Sequence, residues 1–243
     1  MTKKIFLEDL GLMEYKQAWD YQEFLFKKNL DIKAVYYSNQ QSTNEKDLVE
    51  TKNYLLFVEH LPVFTLGKSG KESHVLLDRQ QMREKNISYF QTNRGGDITF
   101  HGPGQVVGYP ILDLEKFETD LGKYLRNLEE IIILTLAEFG INAGRSAGET
   151  GVWIDSDLPG SERKICAMGV RSSRWITMHG FALNVNTDLS YFNHIIPCGI
   201  ANKQVTSIQN ELKHPVNIEL VKEILKQKFE RVFDAKIISG IFC

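Results

Sequence analysis

Residues 163–200, RKICAMGVRSSRWITMHGFALNVNTDLSYFNHIIPCGI, form the stretch on which the arrangement of the chain depends. Its first part predicts two strands, 164–171 and 175–185, with a turn between them. The stretch carries a lysine near its start, Lys164, and a cysteine near its end, Cys198. These two residues are 198 − 164 = 34 positions apart, so a chemical partnership between them requires the fold to bring them together.

Cys198 lies between Pro197 and Gly199, which gives its thiol an accessible, turn-like setting. A cysteine is a strong nucleophile as a thiolate, and a neighbouring cation such as Lys164 favours that form. The structural alternative is a small buried cysteine and a solvated lysine. The setting of Cys198 favours the catalytic interpretation, whereas Cys166 has the sequence context of a strand interior.

Outward from this stretch, hydrophobic spacing predicts strands and helices in alternating groups. We expect strands at 54–58, 87–93, 106–114 and 151–155, and helices at 11–28, at 118–139 and after Asn217, which would cap the last one. Pro110 suggests that its strand lies at a sheet edge or bends. The order indicates an α+β or mixed α/β fold and a single catalytic domain over residues 1–243.

Four glycines and a proline fall within RGGDITFHGPGQ, residues 94–105, a density that argues against regular structure. Arg94 and His101 provide polar groups at its two ends, which favours a ligand-binding loop over a plain glycine-rich hairpin. The tripeptide 67–69, GKS, does not complete a phosphate-binding loop, because Pro62 stands where the first glycine of that motif is needed.

Composition excludes several functional classes. The chain has 243 residues, 42% of them hydrophobic, with 29 basic and 31 acidic residues and a net charge of −2, so neither nucleic acid nor a membrane surface is the expected partner. Three cysteines without a C-x-x-C pair favour neither disulfides nor zinc, and no metal site is expected. The sequence shows no signal-peptide pattern and no spanning apolar run, which predicts a cytoplasmic protein.

Several motifs together resemble one enzyme family. They are RGGDITFHGPGQVVGYPILDL (94–114), GETGVWI (148–154), RKICAMGVR (163–171), HGFALNVNTDL (179–189) and PCGI (197–200), with HLPVFTLGKSG (60–70) and DLGLMEYKQAW (9–19) in support. In this order they resemble the bacterial lipoyl(octanoyl) transferases. The resemblance implies the mixed sheet flanked by helices of biotin and lipoate protein ligases, a fold like that of class II aminoacyl-tRNA synthetases and biotin synthetases.

The resemblance also implies a reaction and its partners. An octanoyl group would pass from octanoyl-acyl carrier protein to a lysine on the lipoyl domains of 2-oxoacid dehydrogenase E2 subunits and of the glycine cleavage H protein. The donor thioester is already activated, so no cofactor and no ATP are expected. The enzyme is expected to act as a monomer.

By the same resemblance, Cys198 accepts the acyl group and Lys164 is its catalytic partner. The residues implied in acyl binding are Arg94, Gly95, Gly96, Asp97, Ile98, Thr99, Phe100, His101, Ala167, Met168, Gly169, Gly180, Phe181 and Ala182. Asp97 stands where relatives often carry glutamine. His101 and His179 are expected to position substrate. An apolar tunnel is expected among Phe100, Tyr109, Met168, Phe181 and Ile200, and a basic carrier-docking surface among Lys123, Arg126, Arg171 and Arg174.

Other functions remain open from the sequence. An ATP-dependent lipoate or biotin protein ligase would need no nucleophilic cysteine, and its loop would usually carry three consecutive glycines. A cysteine amidotransferase between lipoyl domains fits the Arg94 loop and Lys164 less well. A scaffold that only binds lipoyl domains, and a papain-like hydrolase using His179, are the remaining alternatives.

Overall fold

The computed structural model describes residues 2–39, 49–196 and 204–240. The strands are β1 (Lys3–Met13), β2 (Asn53–His60), β3 (Val63–Leu66), β4 (Ser88–Gln91), β5 (Ile98–His101), β6 (Gln105–Ile111), β7 (Val152–Ile154), β8 (Arg163–Ser173), β9 (Ile176–Asn184), β10 (Gln204–Val205) and β11 (Ala235–Ser239). The helices are α1 (Tyr15–Asn39), α2 (Arg79–Glu84), α3 (Leu121–Ala137), α4 (Ile208–Leu212) and α5 (Ile218–Phe233). Among the described helices, none has the length and apolar composition needed to cross a bilayer.

A large mixed sheet runs in the order β10-β8-β9-β6-β2-β1-β11, with β7 also paired to β8. Its β10–β8, β2–β1 and β1–β11 pairs are parallel and its other pairs antiparallel. One face buries its apolar side chains against α3 and α5, and the other against α1. A small sheet, β4-β3-β5, has a core of its own. This architecture confirms the predicted α+β class.

The predicted pair of strands is the β8–β9 hairpin. Its antiparallel register runs from Cys166↔Leu183 through Gly169↔Gly180 to Ser173↔Ile176. The turn lies at residues 174–175, both with positive φ, as two-residue hairpins with matching twist require. The hairpin thus continues to Ser173, two residues beyond the predicted first strand.

The paired strands β6 and β9 approach each other closely at Gly180. A Cβ added to Gly180 would lie 2.5 Å from Pro110 Cδ and would also overlap the carbonyl of Gly108. The sequence predicts that Pro110 marks a sheet edge or a bend. β6 is a central strand, so the edge alternative is wrong. The proline is tolerated because the β6–β9 ladder ends at Gly108, and the Thr177 hydroxyl then donates to Pro110 O and accepts from the Leu112 N–H.

Two other predictions are wrong, the bounds of the first helix and the absence of regular structure in residues 94–105. The helix expected over 11–28 is Tyr15–Asn39, so both of its predicted ends are wrong. It begins late because β1 resumes its pairing with β2 after an irregularity between Asp9 and Leu12, at a glycine with φ of 60°. The stretch 94–105 contains β5, whose Ile98 and Phe100 are buried in the small sheet. Its glycines lie outside that strand.

The α3 and α5 helices form where the spacing predicts them. Asp120 caps α3 through the Lys123 N–H, and Asn217 caps α5 through the Glu219 N–H. Gly140 follows α3 with a φ of 69°, the left-handed conformation common just after helices.

Replacing Gly180 with alanine is expected to destabilise the fold by about 2–3 kcal/mol, because the new methyl group meets fixed backbone in a filled core. Urea unfolding measures the change. Gly122→Ala in α3 is the matched control. Its Cβ would lie 3.2 Å from Asp120 Oδ1, a side-chain atom that can shift, and alanine adds helix propensity, so the change should stay within ~1 kcal/mol. An unchanged unfolding midpoint for Gly180→Ala would contradict this account of the β6–β9 contact.

Candidate active site

A cavity of about 530 Å³ lies along the β8–β9 hairpin. It brings together most of the residues that the resemblance implies, in the wall formed by Lys164, Arg94, Gly95, Gly96, Asp97, Ile98, Thr99, His101, Ala167, Met168, Gly169, Gly180, Phe181 and Ala182. Phe100 is the exception among the described residues. Its ring packs in the core of the small sheet, stacked on Tyr191 with centroids 4.5 Å apart.

The glycine-rich loop is held by backbone hydrogen bonds on two sides. The N–H groups of Gly67, Lys68 and Ser69 donate to the carbonyls of Asp97, Arg94 and Gly96, at 3.2, 3.0 and 3.1 Å. On the other side, a Cβ added to Gly169 of β8 would lie 2.6 Å from Gly95 O.

These bonds also exclude a phosphate-binding role for the GKS tripeptide, residues 67–69, because its backbone donors are already used within the protein. Residues 67–69 instead support the Arg94 loop through these bonds. The Gly95 N–H completes the arrangement by donating to Val170 O of β8 at 2.9 Å.

The Arg94 side chain is buried, with 8% exposed. Its guanidinium donates to Thr65 O at 2.5 Å, to Thr65 Oγ1 at 3.0 Å and to Gly95 O at 3.0 Å. The positive charge of Arg94 helps to lower the pKa of His101 and His179. A field of this sign favours a polarised carbonyl oxygen or an anion over a cationic ligand.

His101 is neutral and fixed in orientation. Burial, then His60 and then Arg94, hold its pKa well below the ordinary value. Its Nδ1 lies 2.8 Å from Gln105 Oε1, while the Gln105 amide nitrogen donates to Asn184 Oδ1. Because that arrangement makes Gln105 Oε1 the acceptor, His101 Nδ1 carries the proton.

His179 is also neutral. Burial, then Arg94 and Arg171, lower its pKa to about 3. Its Nε2 lies 2.7 Å from Asn93 Oδ1, whose amide nitrogen donates to Glu23, so Nε2 carries the proton. Nδ1 is then a buried acceptor with no hydrogen-bond partner within residues 2–39, 49–196 and 204–240. That atom is available to a donor in the cavity.

Lys164 lies on β8 at the wall of the cavity, with Nζ 4.5 Å from the centroid of the Trp153 ring. This contact attracts the ammonium form to the face of the indole. Gly151 is close by, and a Cβ there would lie 3.5 Å from Lys164 Cε and 2.7 Å from Cys166 O. Its φ of 121° is also one that other residues rarely adopt.

A buried carboxylate fixes Gly151 beside the lysine. Glu129 Oε1 accepts the Gly151 N–H at 3.0 Å, while Oε2 pairs with Arg126 at 2.7 Å and Arg145 at 3.0 Å. Glu129 is fully buried, so this network supplies the partners that a buried charge needs. Helical periodicity did not mark Glu129, because it lies inside an apolar helix. The GETGVWI motif contained Gly151 and Trp153 without revealing their contact with Lys164.

The predicted nucleophile, Cys198, lies outside the described residues, as do Cys243 and the tunnel candidate Ile200. Cys166 is described and is fully buried in β8, as its sequence context predicted. Burial raises the pKa of its thiol far above the ordinary value, so Cys166 lacks the thiolate character of a nucleophile.

The buried histidines predict a pH dependence of stability. His60 has a pKa lowered by burial to about 4, and His101 and His179 are shifted the same way. Between the folded and unfolded pKa values only the unfolded chain binds these protons. Stability is therefore full above pH ~6.5 and falls with decreasing pH, by up to ~1.4 kcal/mol per pH unit for each histidine.

Urea unfolding at pH 7 and pH 5 measures that slope. His60→Gln should reduce the loss of stability between the two pH values by about 1–2 kcal/mol, while the exposed His214→Gln should leave it unchanged. Equal slopes for wild type and His60→Gln would show that His60 is not forced neutral.

Comparisons with known proteins show the family of the chain and its fold relatives. The family model for the lipoyl protein ligase A/B catalytic domain matches residues 14–230. The octanoyltransferase of Flavobacterium psychrophilum is 57% identical over 239 residues, which cover 98% of this chain and 100% of that protein. The octanoyltransferase of Christiangramia forsetii is 53% identical over 238 residues, covering 98% and 99%.

Solved structures share the fold at low identity. The bipartite lipoate protein ligase of Thermoplasma acidophilum, studied with its E2 lipoyl domain, aligns with a TM-score of 0.70 at 16% identity, covering 100% of this chain and 88% of that one. A lipoate-protein ligase A bound with ATP aligns with a TM-score of 0.66 at 15% identity, covering 99% and 90%. The chain therefore belongs to the lipoyl protein ligase A/B catalytic domain family, among its octanoyltransferases, and is an acyltransferase.

Proposed function

We propose that residues 1–243 act as one catalytic domain that moves an octanoyl group from the phosphopantetheine thioester of acyl carrier protein to a lysine of a lipoyl domain. The group would pass through a thioester on Cys198, with Lys164 as the catalytic partner. The octanoyltransferase relatives support the octanoyl group and the transfer. The donor, the lysine acceptor and the cysteine thioester are the proposed parts.

The observation that carries the proposal is the course of the cavity between Lys164 and the Arg94 loop. Lys164 and Gly169 are five residues apart on β8, a span of about 16 Å for extended backbone. The wall between them includes Ala167, Met168, and Phe181. An extended octanoyl chain, ~9 Å long from C–C bonds of ~1.5 Å, fits within this span with its thioester beside Lys164.

In the first step, the Cys198 thiolate attacks the thioester carbonyl carbon of the donor. A new C–S bond forms, the bond to the pantetheine sulfur breaks, and that sulfur leaves with the electron pair. The leaving thiolate takes up the proton of the Lys164 ammonium, or one from water where that residue is replaced, and in the wild type this leaves Lys164 neutral for the second step. The ammonium form of Lys164 favours the thiolate that this step requires. Splitting the transfer into two steps is the general gain of covalent catalysis.

In the second step, the ε-amine of the acceptor lysine attacks the octanoyl-Cys198 thioester. A C–N bond forms, the C–S bond breaks, and the cysteine returns as thiolate. The amine has an ordinary pKa of ~10.4 and must lose a proton as it reacts, so a base is needed. A neutral Lys164 amine is the base we assign to this step.

Lipoyl domains of 2-oxoacid dehydrogenase E2 subunits and of the glycine cleavage H protein are the proposed acceptors. The Thermoplasma relative in fold was studied with an E2 lipoyl domain, which supports a lipoyl-domain acceptor in general. A monomer contains every residue that the proposal uses. Of the proposed basic docking residues, Lys123, Arg126 and Arg171 already pair with carboxylates in the protein, so Arg174 is the first to vary in a docking test.

The first test is the intact mass of the protein after mixing with octanoyl-acyl carrier protein and no ATP. The wild type is expected to gain one octanoyl group. Cys198→Ser is expected to gain none, because a serine hydroxyl is a much weaker nucleophile than a thiolate at neutral pH. Cys166→Ser is the matched control, and it should still be acylated because that thiol is buried.

An adduct on Cys198→Ser would contradict the proposed nucleophile. Transfer to a lipoyl domain that requires ATP and free octanoate would instead identify an ATP-dependent ligase. If the wild type shows no adduct, octanoylation of an added lipoyl domain distinguishes fast turnover from lack of activity.

Lys164→Arg is expected to separate the two steps. Arginine keeps a cation beside Trp153 but does not lose a proton in proteins. The acyl-enzyme should therefore form and accumulate, while transfer to the lipoyl domain slows by about 10²–10⁴-fold, the usual contribution of a general base. Lys164→Met should impair both steps, and full turnover by Lys164→Arg would refute the base role.

A further inference from the structure

The short helical turn Glu72–His74 lies against the Arg94 loop, whose residues 94–97 form part of the cavity wall. We call residues 94–97 the acyl-site loop. His74 Nδ1 is 2.7 Å from Asp97 Oδ2, with 17% and 11% of the two side chains exposed. The other carboxylate oxygen, Asp97 Oδ1, accepts the Ile98 N–H at 2.7 Å. A carboxylate only accepts hydrogen bonds, so His74 Nδ1 must donate to it. We refer to these two side chains as the His74–Asp97 pair.

The backbone of the same turn holds a second segment. The Ile196 N–H donates to His74 O at 2.8 Å, and the Leu76 N–H donates to His194 O at 2.9 Å. An antiparallel bridge joins Val75 and Ile195 between these bonds. Ile196 is 198 − 196 = 2 positions before Cys198 in the sequence.

His74 therefore connects two parts of the proposed site that are otherwise far apart in the chain. Its side chain holds Asp97 in the cavity wall, and its backbone holds the segment that leads to Cys198. A hydrogen bond to a carboxylate is stronger than one between neutral groups, and partial burial protects this one from water. The contact is well suited to fix a distance between two segments.

The chain around Asp97 leaves room for its carboxylate. Gly70 accommodates the carboxylate, since a Cβ there would lie 2.6 Å from Asp97 Oδ1. The two positions are matched in this chain.

We propose that His74 and Asp97 are positioning residues that fix the acyl-site loop relative to the segment leading to Cys198. This inference rests on the proposed function. The pair acts on the reaction by keeping the loop that binds the acyl chain in register with residues 194–196, which precede the nucleophile in the sequence. Misplacement of reacting groups by ~1 Å costs as much as ~10²-fold in rate, so a lost tether reduces the rate more than it reduces binding.

The test measures the rate of acyl-enzyme formation by intact mass, over a range of octanoyl-acyl carrier protein concentrations. His74→Leu is expected to lower the rate at saturating donor by ~10-fold or more, with the donor KM changed less than about threefold. His74→Asn should recover most of the rate, because its amide nitrogen can donate from the place of Nδ1. His214→Leu, at an exposed histidine, should match the wild type.

A double-mutant cycle tests the pairing itself. Asp97→Ala should slow the reaction about as much as His74→Leu, and the double variant should be no slower than the slower single variant, because both remove one contact. Independent, multiplying losses would overturn the pair. If His74→Leu fails to fold, the cycle is run with His74→Ala, which removes the donor, and Asp97→Asn, where loss of the carboxylate charge alone is expected to slow the reaction.

The outcomes separate this inference from the proposed function. A wild-type protein that forms no acyl-enzyme and octanoylates no lipoyl domain would refute the proposed function. A wild type that reacts while His74→Leu reacts equally fast would refute only the positioning role. A raised KM with an unchanged saturating rate would assign His74 to donor binding and also overturn the inference.

Discussion

The site depends on the backbone hydrogen bonds that hold the Arg94 loop between two supports. On one side the loop accepts three N–H groups from residues 67–69, and on the other the Gly95 N–H bonds to Val170 of β8. Because the loop is hydrogen-bonded to β8, a strand of the large sheet, that sheet holds the cavity wall in place. Glycine is needed at residues 67 and 169, where any side chain would displace the loop.

The cavity holds two cationic side chains, Arg94 and Lys164, and two neutral histidines. Arg94 is buried and donates to Thr65 and Gly95, while His101 and His179 are kept uncharged by burial and by that arginine. Lys164 lies at the far end of β8 over an indole ring. The two cations are thus separated along the strand, and the space between them is lined largely by apolar groups, as an acyl chain requires.

Elements with strong periodicity were predictable from the sequence, and elements that depend on distant partners were not. The β8–β9 hairpin, α3, α5 and the buried position of Cys166 followed from local patterns. The strand β5 was missed because glycines surround it and its stability comes from pairing with β3. The start of α1 was misplaced because β1 continues through an irregularity at Gly11, which only its pairing with β2 explains. The roles of Glu129 and Trp153 depend on α3 and β7 meeting β8, which no local pattern encodes.

The pairing of the outermost strands has a consequence for how the chain acquires its fold. Strand β11 runs parallel to β1, with Lys3 opposite Ala235, which are 235 − 3 = 232 positions apart. A ribosome makes β1 long before β11, so one edge of β1 stays open through most of synthesis. Such an edge is a template for pairing with other chains, and contacts of this sequence separation form slowly. The nascent protein is therefore most exposed to misassembly before its last helix and strand close that edge.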